Sequence, residues 1–275
     1  MIDMKPNIFL LTIDSVRAER FYGPKKSAVT PNFDSIIKNG LFFTQNIATS
    51  DQTGTSLASI FTGKYPINSG VTQYNFNFDF VTFFDELKKM GYSLYSCTHD
   101  LLMFKKITKN FKQHLEYIYA KKNSYPHLDN DLGSKILKNF LNKKMDEPWM
   151  FYCHLVDLKD PTIWAKDFDD KRFGKTIYDR NLSALDTWIG KFLESIDLTN
   201  TLFVITTDHG EYVTEFDNLE KSIRKISNVG KKFGFLESIG KKPFATSLKI
   251  ARKMKQRQAE NLTLSEKRNY FLKRA

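Results

Sequence analysis

Cysteine is scarce. Only Cys97 and Cys153 occur in 275 residues, each inside an apolar run. A disulfide framework is therefore excluded, and a buried free thiol is the default state of both. The N-terminus lacks a basic flank followed by an apolar core of signal-peptide length, and no run is long enough to cross a membrane. The expectation is a cytoplasmic protein. Low-complexity tracts and repeats of fixed period are also absent. Acidic residues nearly vanish from the last stretch. Residues 221–275 hold 16 Lys and Arg against Glu237, Glu260 and Glu266, a balance of +13 in a chain whose net charge is +11. The basic character belongs to a tail, not to the slightly acidic 220 residues before it. Such a run reads as a solvated helical segment, and contact with nucleic acid or an anionic membrane is the weaker reading.

What is present is enough for a globular core. Hydrophobic residues make up 41% of the chain and aromatics 14%, which fits one large α/β domain or one domain with an appendage. The organising stretch is residues 7–17, NIFLLTIDSVR. Its apolar and β-branched residues run without alternation and stop at Asp14, the pattern of a strand buried on both faces of a parallel sheet. A second such run, residues 201–207 (TLFVITT), ends in Asp208-His209-Gly210-Glu211. Ligands collect beyond the carboxyl ends of such strands. Two of them, each delivering a carboxylate at one edge, suit a single metal ion held between them.

The remaining pattern alternates helices with strands. Short helices are expected at residues 32–39 and 81–90, a strand at 41–44 and a loop at 15–31. Residues 49–63 read as a loop feeding a helix that starts near Ser56, whose free N–H groups favour an anion. Further strands are expected at 92–98 and 149–157, and further helices at 131–144 and 176–196, the last with Ile177, Leu182, Leu185, Trp188, Ile189, Phe192 and Leu193 on one stripe. Together they predict a doubly wound, mostly parallel sheet sandwiched by helices over residues 1–220, followed by a basic helical extension at 221–275.

Several short stretches, in order, carry a resemblance. They are Pro6-Asn7-Ile8, Asp14-Ser15-Val16-Arg17-Ala18, Thr30-Pro31-Asn32-Phe33-Asp34, Gly40-Leu41-Phe42-Phe43, Ala58-Ser59-Ile60-Phe61-Thr62-Gly63 and Gly91-Tyr92. The set closes with Leu185-Asp186-Thr187-Trp188-Ile189-Gly190 and Thr207-Asp208-His209-Gly210-Glu211. The series resembles the sulfatase branch of the alkaline phosphatase superfamily over most of residues 6–211. That resemblance implies an alkaline-phosphatase-like fold and a metal held by Asp14, Asp208 and His209. The family's nucleophile lies in a C/S-x-P-x-R signature before the ASxxTG helix. In this chain Leu57 takes its Arg position, Thr55 its Pro position and Thr53 the nucleophile position. Thr53 cannot follow the oxidation to formylglycine that sulfatases proper apply to Cys or Ser, and a Thr there resembles the phosphotransfer and phosphodiesterase relatives.

Other positions depart from the pattern. Thr98-His99-Asp100 stands where a Lys-Trp-His group often follows the Gly-Tyr strand, so His99 is a candidate substitute in catalysis. Asp157-Leu158-Lys159-Asp160-Pro161 replaces the family's D-x-H-x-P stretch and puts Lys159 where a sulfate-contacting His is expected. A lysine binds an anionic oxygen but argues against a second metal beside it. His154, on the strand before it, reads as a packed core residue. After Glu211 the family usually continues with a further His, a strand near a Val-Pro pair and a small sheet domain, none of which this chain displays.

The physical logic of Thr53 stands beside the resemblance. A hydroxyl is a poor nucleophile at neutral pH, and a divalent ion bound to Thr53 oxygen and an ester oxygen favours the alkoxide. The expected function is metal-dependent hydrolysis of sulfate or phosphate esters, small-molecule or glycan. Two alternatives stand beside it: a phosphotransferase acting on a glycan or lipid acceptor, and a catalytically degenerate metal- or anion-binding member. The resemblance implies calcium first, with manganese, magnesium or zinc as other candidates for a site of hard oxygens and one imidazole.

Overall fold

A computed structural model describes residues 5–72, 80–119, 127–159 and 165–211. Five strands form one sheet: β1 (Asn7–Ile13), β2 (Ser93–His99), β3 (Gln113–Tyr117), β4 (Trp149–Leu155) and β5 (Thr201–Thr207). Their order is β3-β2-β4-β1-β5, and every pairing is parallel. The first strand of the chain thus lies between β4 and β5. Its unbroken apolar run follows from that place, since a strand covered on both faces has no solvent side to favour a polar residue.

Side chains alternate between the two faces. On one face Leu10, Leu94, Met150 and Tyr152 pack with Leu57 and Phe61 of the helix Thr53–Thr62, and with Phe84, Met103 and Phe104 of the helices Phe83–Lys89 and Leu102–Ile107. On the other, Phe9 and Phe151 meet with centroids 5.0 Å apart. Phe9 then reaches Phe192 of the helix Ile177–Glu194, and Phe151 stacks on Phe140. Helices cover both faces, the doubly wound arrangement that the alternating pattern implies.

One helix is started by another. Thr30, at the N-cap of Pro31–Asn39, gives no side-chain cap bond. Asp186 of the long helix supplies it instead, accepting from the backbone N–H of Asn32 at 3.1 Å and of Phe33 at 2.8 Å, and from Asn32 Nδ2 at 2.9 Å. The same pair of helices touches at Gly190, where an added Cβ would stand 2.8 Å from Asn32 Oδ1.

Several expectations are corrected. Residues 41–44 are irregular, not a strand, with Leu41 and Phe43 at 90% and 76% exposure. Both sides of β1 are already taken by β4 and β5, so this short run has no central place to fill. β3 was not expected: its QHLEY sequence is polar and half-exposed, as suits the strand that ends the described sheet. The helix expected at 131–144 is instead a stretch from Leu128 to Leu141 with wide turns, broken at Asn130 and Asp131. The expected loop at 15–31 contains one helical turn, Ala18–Phe21. The helix expected near Ser56 begins three residues earlier, at Thr53. The boundary near residue 220 and the basic extension lie outside the described residues.

Candidate active site

The ends of the parallel strands meet at one edge. Asp14 follows β1, Asp208 follows β5, and the pairing of Ile13 with Thr207 sets the two acids side by side. Both are fully buried. The turn after β1 is held in an uncommon shape. Ser15 has φ of +70°, the left-handed region that non-glycine residues avoid. Three bonds pin it there: its N–H donates to Asp208 Oδ1 (3.3 Å), its hydroxyl to Asp14 Oδ1 (2.6 Å), and its carbonyl accepts from Tyr178 OH (2.8 Å). Backbone strain of this kind gathers at functional sites.

Thr53 enters from the helix side. It is the first residue of Thr53–Thr62, and Ser56 in the same first turn donates its hydroxyl to the Asp208 carbonyl. Thr53 Oγ1 lies 3.0 Å from Asp14 Oδ2, 3.2 Å from His209 Nε2 and 2.8 Å from Lys159 Nζ. Lys159 Nζ also donates to Asp14 Oδ2 at 2.8 Å. The tautomer of His209 follows from its other nitrogen. Nδ1 is 2.8 Å from the Gly210 carbonyl, which can only accept, so Nδ1 carries a proton, and Nε2 is the nitrogen that faces Thr53.

Charge separates the two acids. Burial alone would raise the Asp14 carboxyl, but the Lys159 ammonium, with His154 and His209, outweighs it and holds the group down at about 2. Asp208 is pushed up to about 6, by burial first and then by the negative charge of Asp14. Burial works against the Lys159 ammonium, yet the Asp14 charge and hydrogen bond raise its pKa above the ordinary lysine value. Lys159 is therefore a fixed cation beside Thr53 Oγ1, not a base.

The expected residues are distributed as follows. Asp14, Thr53, Lys159, Asp208 and His209 come together within hydrogen-bond or ion-pair distance. His99 does not join them directly. It ends β2 and reaches the cluster through His154, with the two Nδ1 atoms 3.2 Å apart. Burial, and then the Lys159 charge, lowers His99 to about 4, while burial, and then His99, takes His154 well below the ordinary value. His154 is a residue the sequence reading left in the core. It sits on β4 opposite Thr12, fully buried, and its Nε2 has no hydrogen-bond partner.

The donor set fits a divalent cation. Asp208 Oδ2 is buried and accepts no hydrogen bond, lying 3.5 Å from His209 Nε2. One ligand atom from each of Asp14, His154 and Asp208 lies within 4.8 Å of the others. Two carboxylates and an imidazole at that spacing are a ligand chemistry shared by several divalent metals.

The family model described as Sulfatase matches residues 6–245. The chain belongs to the sulfatase family. An ulvan-active sulfatase of Formosa agariphila is 26% identical over 230 residues, covering 76% of this chain and 45% of that protein. The chain spans less than half the length of the curated relatives that it matches over most of its own. An alkaline phosphatase superfamily protein from Vibrio parahaemolyticus superposes with a TM-score of 0.56 at 21% identity, over 76% of this chain and 56% of that one. The C-terminal periplasmic domain of the phosphoethanolamine transferase EptC from Campylobacter jejuni gives 0.50 at 16%, over 77% and 71%. At these identities the structural likeness shows the fold, which is alkaline-phosphatase-like.

Proposed function

We propose that this sulfatase-family chain carries a metal-dependent site for hydrolysis of sulfate or phosphate esters, with Thr53 as nucleophile and a single ion on Asp14, Thr53, Asp208 and His209. One observation supports it above the others: Thr53 Oγ1 stands at a helix N-terminus within 3.2 Å of a carboxylate, an ammonium and an imidazole nitrogen.

Thr53 oxygen forms the new bond to sulfur or phosphorus while the ester oxygen leaves with its electron pair. The Thr53 proton is accepted at Asp14 Oδ2, to which the hydroxyl already donates. Lys159 stays charged and stabilises the oxygen as it loses its proton. The first N–H groups of the helix Thr53–Thr62 point at the non-bridging oxygens. Bound metal would supply Lewis acidity and offset developing negative charge, with calcium the first candidate and manganese, magnesium or zinc the others. Water then attacks the Thr53 ester and restores the hydroxyl. An acceptor hydroxyl from a glycan or lipid in place of that water gives the transferase reading. Thr at the nucleophile position and the likeness to a phosphoethanolamine transferase favour it as second.

Turnover of aryl sulfate, aryl phosphate and aryl phosphodiester, each with calcium, manganese or zinc, tests both. Thr53→Ala and Asp208→Ala are expected to lose metal-dependent activity by at least about 100-fold, as removal of a group that acts on the reacting atoms does. Equal activity in Thr53→Ala would sink the assignment. Ion binding without turnover of any ester would leave the degenerate, binding-only member.

A further inference from the structure

We propose that His154 is a ligand of the ion held by Asp14 and Asp208, and that His99 is the positioning residue that sets its tautomer. The inference rests on the metal-dependent reading of the site. Most buried polar side-chain atoms have a hydrogen-bond partner. His154 has one partner, His99, and its Nε2 is buried with none. Asp208 Oδ2 is likewise buried without a partner. Ligand atoms of Asp14, Asp208 and His154 lie within 4.8 Å of one another. Atoms sharing one ion stand up to about 4.2 Å apart at zinc bond lengths and up to about 5 Å at those of calcium. The spacing is already close to that of a common site.

The two imidazoles then divide the work. His209 Nε2 faces the nucleophile at 3.2 Å from Thr53 Oγ1. His154 lies one strand in, on β4. The contact between the two Nδ1 atoms holds one proton. With that proton on His154, Nδ1–H donates to His99 and Nε2 presents a bare lone pair, the form a cation requires. His99 can hold this geometry because its ring is fixed edge-on against Phe104, at 5.2 Å and 81°. An imidazole oriented through its second nitrogen is the usual outer-shell arrangement of metal-bound histidine.

The test measures Zn2+ and Mn2+ affinity of the purified protein by calorimetry, alongside the histidine ring 15N spectrum. His99→Phe keeps the ring packing but removes the acceptor, and is expected to weaken ion binding by about 10- to 100-fold. His99→Asn, which offers an acceptor oxygen, should recover part of that loss, a recovery that a purely structural role for His99 would not give. His154→Gln is expected to lose at least as much as His99→Phe. In the native protein the His154 Nε2 resonance should move when Zn2+ is added, a readout independent of whether any variant folds. An unmoved His154 resonance, or native affinity in His154→Gln, overturns this inference. If Asp208→Ala still abolishes binding in that case, the metal-dependent reading survives with His209 as the imidazole. If the native protein binds neither of these ions, nor Ca2+ in the same titration, both readings fall.

Discussion

At the scale of single residues, the strained turn at Ser15 has a cost that substitution can expose. A β-branched side chain tolerates φ of +70° poorly, and Ser15→Val also removes the hydroxyl bond to Asp14. Its expected cost is about 1–3 kcal/mol, read as a lower urea midpoint. Ser15→Gly relieves the backbone and should recover most of that stability. Asp157 makes a pH-dependent prediction. Burial, with the nearby Asp129 charge, pushes its carboxyl up to about 7, and its Oδ2 has no partner. A raised carboxyl binds its proton in the folded state over a range where the unfolded chain has released it. Its contribution is thus full below about pH 4 and is lost as pH rises toward 7. Asp157→Asn keeps the acceptor for the Leu128 N–H and should flatten the stability curve between those limits in pH-dependent denaturant titrations. An unchanged slope would count against a protonated Asp157. Much of the candidate site was legible at this scale, because Asp14, Thr53, Lys159 and Asp208, which the fold brings together, fall in short ordered motifs at strand and helix ends. His154 was not. An apolar strand buried on both faces gives no alternation that would mark one polar member as functional. The remaining signal was only that a histidine interrupts such a run.

At the scale of elements, the helix Pro31–Asn39 depends on a residue more than 150 positions away. Asp186→Ala removes acceptors from the buried Phe33 N–H, the part-buried Asn32 N–H and the Asn32 amide. Stability should fall by about 1–3 kcal/mol, the cost of leaving buried donors unpaired. Hydrogen exchange should show the helix start losing protection first. Asp186→Asn, which keeps an acceptor oxygen, should cost less. Sequence reading located this helix from Phe33, Ile36 and Ile37 but not its cap, since a cap supplied by a distant helix leaves no local mark. The same distinction separates the strands. β1, β2, β4 and β5 are apolar enough to be recognised from their own composition. β3 is polar and takes its state from the edge of β2, just as residues 41–44 are apolar yet find no strand to pair with.

At the scale of the whole sheet, three strands and the long helix converge on one aromatic cluster. Phe9 touches Phe151, Phe192 and Phe203, so Phe9→Ala should cost about 3–5 kcal/mol, measured by chemical denaturation. Surface changes on β3 should cost far less. The order β3-β2-β4-β1-β5 also has a temporal side. A ribosome makes β1 first, yet β1 sits between β4 and β5, the last described strands to emerge. Asp14 is made 194 residues before Asp208. No nascent chain that stops short of β5 can hold an ion between them. Until β5 emerges, the apolar β1 must be kept from pairing with the wrong neighbour. Dependence on chaperones should therefore peak before the candidate metal site can form.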